Sequence, residues 1–225
     1  MRPLRLAVVL AMALPFAALA ACHAPRVLAP IPPLRAASAA LYAIDVEFAE
    51  PLDPGTAENP THYRLARATL PDAPVAIASA ALIDTLDHRT VQLIAPDWFG
   101  DSTADRIDAI VTATGLRDYL GRPLGVRSVT FRTGLAYDPE LRGVFDAHCT
   151  PCHGPRQANG SYRTDSMAGL RGNGTDATPN LVAGSPTCLL VRKCKPHNSM
   201  FNSGRLSYFD FEMILNWVEV YAARP

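Results

Sequence analysis

Of the five cysteines in the 225-residue chain, two lie in the run Cys149-Thr150-Pro151-Cys152-His153-Gly154. This run sets two thiols at C-x-x-C spacing and an imidazole directly after the second. At that spacing two thiols reach the two vinyl groups of a porphyrin while the next histidine lies under the iron. The run therefore predicts one covalently attached c-type haem, with Cys149 and Cys152 as attachment points and His153 as proximal ligand. Gly154 lets the chain turn away from the macrocycle without a side chain in the way. The same thiol pair could serve a thiol-disulfide oxidoreductase, in which the first thiol loses its proton easily at a helix start after a strand. Here the residues before Cys149 read as a helix and no βαβ pattern surrounds them. A structural zinc site would need a second ligand pair, and Cys188 and Cys194 match the usual knuckle spacing poorly.

The far face of such an iron takes a methionine sulfur or a second histidine. Met213 falls in a helical pattern and reads as packing, and Met167 follows His153 too soon. Met200, in the loop from Pro196 to Gly204, is the expected distal ligand, with His197 as the alternative. Cys188 and Cys194 are expected to close a disulfide beside it. Lys195 stands where a second haem motif would need its histidine, so a single haem is expected. His148 reads as a helix-end residue, and His62 and His88 as exposed loop residues.

The elements that must hold these groups fall into two patterns. From about residue 36 to 134 the periodicity is that of strands: Tyr42, Ile44, Val46 and Phe48 alternate with Ala43, Asp45 and Glu47. Further short strands are expected at Val75–Ile77, Thr90–Leu93, Ile107–Val111 and Val129–Phe131, separated by Pro, Gly, Asp and Asn clusters, which argues for a β-sandwich. From residue 137 to 225 the period is helical. Asp138-Pro139-Glu140 reads as a helix start with Asp138 as cap, and Ser207 with Asp210 reads as a capping box opening a final amphipathic helix. The expected fold is multidomain: an all-β Ig-like sandwich followed by a small all-α domain of the class I cytochrome c kind.

The N-terminus has the order of an export signal, with Arg2 and Arg5 ahead of an apolar run from Leu6 to Ala21 too short to span a bilayer. It ends in Leu19-Ala20-Ala21-Cys22, which resembles a bacterial lipobox. Residues 1–21 are therefore expected to be a signal peptide, Cys22 the lipidated residue, and residues 22–35 a Pro- and Ala-rich tether. Twenty-one basic residues balance 21 acidic ones, which removes the charge excess that nucleic acid binding requires. The only lysines, Lys193 and Lys195, flank Cys194 and suggest a docking patch for an acidic partner.

Two stretches resemble known families. Phe48-Ala49-Glu50-Pro51-Leu52-Asp53-Pro54, Asn59-Pro60-Thr61-His62-Tyr63, Asp118 to Leu124 and Phe131-Arg132-Thr133-Gly134 resemble the bacterial Ig-like domain of surface-layer proteins. Residues 144–222 resemble short monohaem cytochromes c of planctomycetes. They do so through Cys149 to Gly154, Val182 to Pro186, Leu189 to Arg192, Met200, and Leu206-Ser207 leading into Ile214 to Val218. That family normally has proline after the methionine, where this chain has Phe201. The resemblance implies a non-enzymatic, membrane-anchored carrier of single electrons with His/Met ligation, held at the outer membrane by its lipid and meeting redox partner proteins. The alternatives are a surface or periplasmic binding module, with the haem as a sensor or as a subunit of a larger oxidoreductase, and the thiol-disulfide oxidoreductase.

Overall fold

The computed structural model describes residues 34–40, 42–84, 86–98 and 106–223. The expected signal peptide, the lipidated Cys22 and nearly all of the tether lie outside the described residues. Alternating apolar residues build eight strands: β1 (Leu34–Ala40), β2 (Ala43–Phe48), β3 (Tyr63–Arg67), β4 (Leu70–Val75), β5 (Ser79–Leu82), β6 (Thr90–Ile94), β7 (Asp108–Ala113) and β8 (Arg127–Arg132). They form two antiparallel four-stranded sheets of order β1-β2-β6-β5 and β4-β3-β7-β8. Ile44, Val46 and Phe48 of β2 interleave with Leu65, Val91, Leu93, Ala109 and Val111, all fully buried. Register follows from that pattern, with Val46 opposite Val91 and Leu65 opposite Val111, because a one-residue slip would turn every apolar side chain outward. A single turn of helix, α1 (Pro54–Ala57), capped by Asp53, links β2 to β3. The strand expected at Val75–Ile77 falls instead across the gap between β4 and β5.

After β8 come short helices: α2 (Arg142–His148), α3 (Met167–Leu170), α4 (Leu189–Cys194), α5 (Ser199–Gly204) and the longer α6 (Tyr208–Glu219). The predicted capping box is present at α6, where Ser207 and Asp210 satisfy each other's backbone N–H groups. Asp138 does not cap α2, which opens after Leu141 with no side-chain cap bond; Asp138 lies three residues further back, extended (φ −113, ψ 124), and pairs its carboxylate with Arg142 at 3.0 Å. Trp217 of α6, fully buried, is the centre of an aromatic group with Tyr137 and Phe145, at ring distances of 6.4 and 6.0 Å.

The expectation of an all-β domain followed by a separate all-α cytochrome-like domain is corrected here. The described residues form one compact unit of two antiparallel sheets with short helices packed on them. The physical reason lies in the polar row of β2. All six residues of β2 are buried: Ile44, Val46 and Phe48 face the sandwich core, and Ala43, Asp45 and Glu47 lie on the opposite face of the pleat. Strand β1 divides likewise, giving Leu34 to the sandwich core and Ala37 to the core of the helical segment. Arg35 fastens the two: its guanidinium pairs with Glu47, bonds Asp210 Oδ1 at 2.9 Å, and lies 4.7 Å from the Phe209 ring centroid. Burial works against that charge, but the two carboxylates outweigh it and raise the Arg35 pKa.

Candidate functional site: a thiol-lined cavity in the helical segment

Helix α2 ends at Cys149, whose N–H donates to Phe145 O at 2.8 Å. The chain then curls back on itself, with Cys152 N and His153 N both donating to Cys149 O at 3.0 and 2.8 Å. Gly154 is required at this point: a Cβ there would sit 2.4 Å from Thr150 O. The loop is closed by Asn159 N donating to Cys152 O at 3.0 Å and Thr164 N donating to His153 O at 2.7 Å. The His153 ring is held by Tyr162, whose carbonyl lies 3.3 Å from Nδ1. A carbonyl can only accept, so Nδ1 carries the proton in this contact. On the other side, His148 Nδ1 donates to Gly204 O at 2.8 Å, which joins α2 to the end of α5. That approach is close, since a Cβ on Gly204 would stand 3.0 Å from His148 O.

These segments enclose a cavity of about 410 Å³ with a mainly apolar wall. Cys149, Cys152 and His153 line it from the α2 end, Tyr162 and Thr164 from the returning loop, Leu190 and Cys194 from α4, and Met200 from α5. The residues singled out in the sequence are therefore largely brought together. His197 is the exception: it is exposed, in a left-handed conformation (φ 70), and is not part of the wall. Met200 reaches the wall while remaining 36% exposed. Of the wall residues that sequence reasoning did not assign to the site, Tyr162 is placed by the returning loop and Leu190 by α4, and neither is of a ligand type that would single it out.

Cys149, Cys152, Cys188 and Cys194 are all free thiols. The expected Cys188–Cys194 disulfide does not fit this geometry. The two stand at opposite ends of α4, and six residues of helix at about 1.5 Å each separate Cα atoms by roughly 9 Å, beyond the reach of an S–S bond. Burial pushes the Cys149 thiol up to about 12, with the charges of Asp210 and Cys152 adding to the effect. Burial, with Cys149 and Cys188 nearby, raises Cys194 as well. Thiol-disulfide exchange needs a thiolate, so this environment is the reverse of what the oxidoreductase reading requires. Of the two lysines, Lys193 is engaged by Asp176 at 3.0 Å, which leaves no lysine pair standing free beside Cys194.

No family model matches the chain. No match is found among curated proteins. Solved structures that are similar to part of it include two of a surface-layer protein. The N-terminal part of the bacterial S-layer protein SbsC matches at 18% identity and a TM-score of 0.37, over 43% of this chain and 22% of that one. Domains 1–6 of the same surface-layer protein match at 18% identity and a TM-score of 0.36, over 41% of this chain and 12% of that one. The chain thus spans about a fifth or less of the proteins it is similar to.

The cytochrome resemblance is corrected accordingly. No family model, of cytochromes c or of any other family, matches the chain. Among the described residues no group of three or more His, Cys, Asp or Glu is placed to hold a metal ion. The expectations of a covalent haem on Cys149 and Cys152, of iron ligation by His153 and Met200, and of single-electron transfer to redox partners are not retained.

Proposed function

We propose that the chain is an exported binding protein whose helical segment takes a largely apolar small molecule into the cavity bounded by Cys149, His153, Tyr162, Leu190 and Met200. The observation that carries this reading is the cavity itself. A concave, mainly apolar volume of about 410 Å³, with a few convergent polar groups, has the size and character of a small-molecule site. His148, His153 and Asn180 are fixed by backbone carbonyls in its wall and supply orientation rather than catalysis. The protonated Cys149 thiol offers no activated nucleophile, which supports binding over enzymatic turnover. Export, and anchorage to the outer membrane through lipid on Cys22, are supported by the apolar run and Leu19-Ala20-Ala21-Cys22. The balanced charge supports a partner set without nucleic acid.

The test uses the exported chain with 1-anilinonaphthalene-8-sulfonate as probe. Dye emission should rise and saturate at one molecule per chain. Met200→Trp, which fills the cavity from its open side, should abolish that rise without moving the thermal midpoint. Equal emission from both proteins would overturn the reading. So would an intact mass showing Cys149 and Cys152 permanently substituted, because the cavity would then seat an attached group rather than an exchanging ligand.

A further inference from the structure

One end of the sandwich holds large apolar side chains in water: Leu86 is 50% exposed, Tyr119 67% and Leu120 74%. Leu86 lies in the turn between β5 and β6, and Tyr119 and Leu120 lie in the connection from β7 to β8. Both turns are built by carboxylates. Asp84 Oδ1 accepts from Leu86 N at 2.9 Å and from Asp87 N at 3.0 Å, and Asp118 Oδ1 accepts from Leu120 N and Arg122 N, both at 2.9 Å. Backbone bonds draw the two turns to the same segment: Leu52 N donates to His88 O at 2.8 Å and Tyr119 N to Pro51 O at 2.9 Å. Leu86 and Tyr119 accordingly share the rim of one shallow hollow with Pro51. Apolar side chains grouped in this way, on turns that do not need them for packing, mark an interaction surface.

What meets this surface follows from where the chain enters the fold. Strand β1 starts at Leu34, directly opposite Phe48, the last residue of β2. Opposed residues stand roughly 5 Å apart, and the three chain steps from Phe48 to Pro51 span at most about 11 Å, so Leu34 lies within roughly 17 Å of Pro51. The segment leading from Cys22 therefore joins the sandwich at the end that bears Leu86, Tyr119 and Leu120, and not at the opposite end, where Ala40 pairs with Ala43. Twelve residue steps separate Cys22 from Leu34. Even a fully extended chain, at about 3.5 Å per step, keeps Leu34 within roughly 40 Å of a lipid on Cys22. The chemistry of the surface suits a bilayer. A tyrosine ring with its hydroxyl fits the boundary between headgroups and acyl chains, and leucines fit the layer beneath. Arg117 and Arg122, both exposed, flank Tyr119 and Leu120; Arg117 Nη1 donates to Gly121 O at 2.7 Å and Arg122 Nε to Asp118 Oδ2 at 2.6 Å. Such side chains lay their stems along apolar surface and keep their charge at phosphate level. Asp87 is the opposing charge on the rim.

We propose that this end of the sandwich rests on a lipid bilayer, with Leu86 and Leu120 among the acyl chains, Tyr119 at headgroup level and Arg117 and Arg122 against lipid phosphates. The inference rests on the anchorage of Cys22 set out above. Three side chains hold a bilayer weakly by themselves, but a tether raises their effective concentration at the surface and turns the weak contact into a fixed orientation. The test reconstitutes the exported, lipid-bearing chain in vesicles of phosphatidylethanolamine and phosphatidylglycerol with brominated acyl chains, which quench tryptophan on contact. Trp98 and Trp217 are buried and should keep their emission. In Tyr119→Trp the added emission should be lost in these vesicles and kept in unbrominated ones. Adding Leu120→Asp, at an exposed position, should restore most of it with the thermal midpoint unchanged. Flotation with the vesicles but no loss of the added emission would overturn the proposal and leave the anchor in place. A chain that does not float, with an intact mass lacking the diacylglycerol, would remove the anchor and the proposal together. Emission that ignores the brominated lipid and shifts with protein concentration would assign the surface to a second copy of the chain, and the proposal fails.

Discussion

The sandwich and the helical segment bury similar side chains in different ways. The sandwich fills its own interior: Phe48, Leu52, Leu65, Leu93 and Leu116 are wholly buried, and β2–β6 and β3–β7 pair without a break in register. The helical segment consists of helices of four to seven residues plus one of 12, lengths that are marginal in water without tertiary support. It leaves a mainly apolar cavity of about 410 Å³. Its order therefore depends on what it packs against, namely the β1–β2 face and the contents of the cavity. The sandwich is a platform, and the helical segment is a ligand-shaped attachment to it.

That asymmetry is most easily broken at Arg35. Replacing it with alanine leaves Glu47 and Asp210, side chains only 3% exposed, buried without their counter-ion. Breaking a buried pair in this way costs on the order of 3–5 kcal/mol. The loss should fall on the helical segment first. The two tryptophans report separately, since Trp98 sits in the sandwich core and Trp217 in the helical core. In a Trp98→Phe background, Arg35→Ala should move the Trp217 urea transition well below the loss of β-sheet circular dichroism. Coincident transitions, shifted by less than about 1 kcal/mol, would show that the docking does not rest on Arg35.

A smaller effect is expected at Asp45, on the same face of β2. Burial pushes its carboxyl up to about 7; the hydrogen bond from Gln92 opposes this, and the charge of Glu212 adds to it. Glu212 on α6 is itself raised, chiefly by burial. The folded protein therefore holds a proton that the unfolded chain releases near pH ~4. The stabilisation is fully present below that pH and is lost as pH rises toward 7. Asp45→Asn should remove most of the slope between those values and stabilise the protein at pH 8 by an amount on the order of 3 kcal/mol. Urea midpoints at both ends of the window measure it; an undiminished slope in the variant would assign the pH dependence to other groups.

Asp45 also marks where sequence reading stopped. The apolar row of β2 was legible, because Ile44, Val46 and Phe48 keep the period of a strand. Its polar partners Asp45 and Glu47 looked like an ordinary outer face, and no local rule says that a helix over 160 residues downstream covers them. The tether boundary expected at residue 35 cuts β1 after Arg35, and no strand is expected over 36–40, since Ala-rich sequence carries little β signal until it is known to pair with β2. The cavity was half legible. Cys149, Cys152, His153 and Met200 drew attention by type and spacing, and they do meet. Their chemistry was read from the motif alone, whereas the wall that sets it also comes from Asn180, from Tyr162 on the returning loop and from Leu190 on α4.

The smallest effect tests whether the helical segment's own surface charges add to its hold. Lys193 Nζ meets Asp176 Oδ2 at 3.0 Å on the rim of the cavity, with side chains 42% and 34% exposed. Both charges keep much of their water, and ordering two side chains costs entropy that the attraction barely offsets. Lys193→Ala should therefore shift the Trp217 transition by no more than about 0.5 kcal/mol, and less still in 1 M salt, where charges are screened beyond ~3 Å. A shift approaching that of Arg35→Ala would mean that the α4 rim, and not the β1–β2 face, holds the segment in place. The platform and its attachment would then be two bodies joined at Arg35 but stabilised separately.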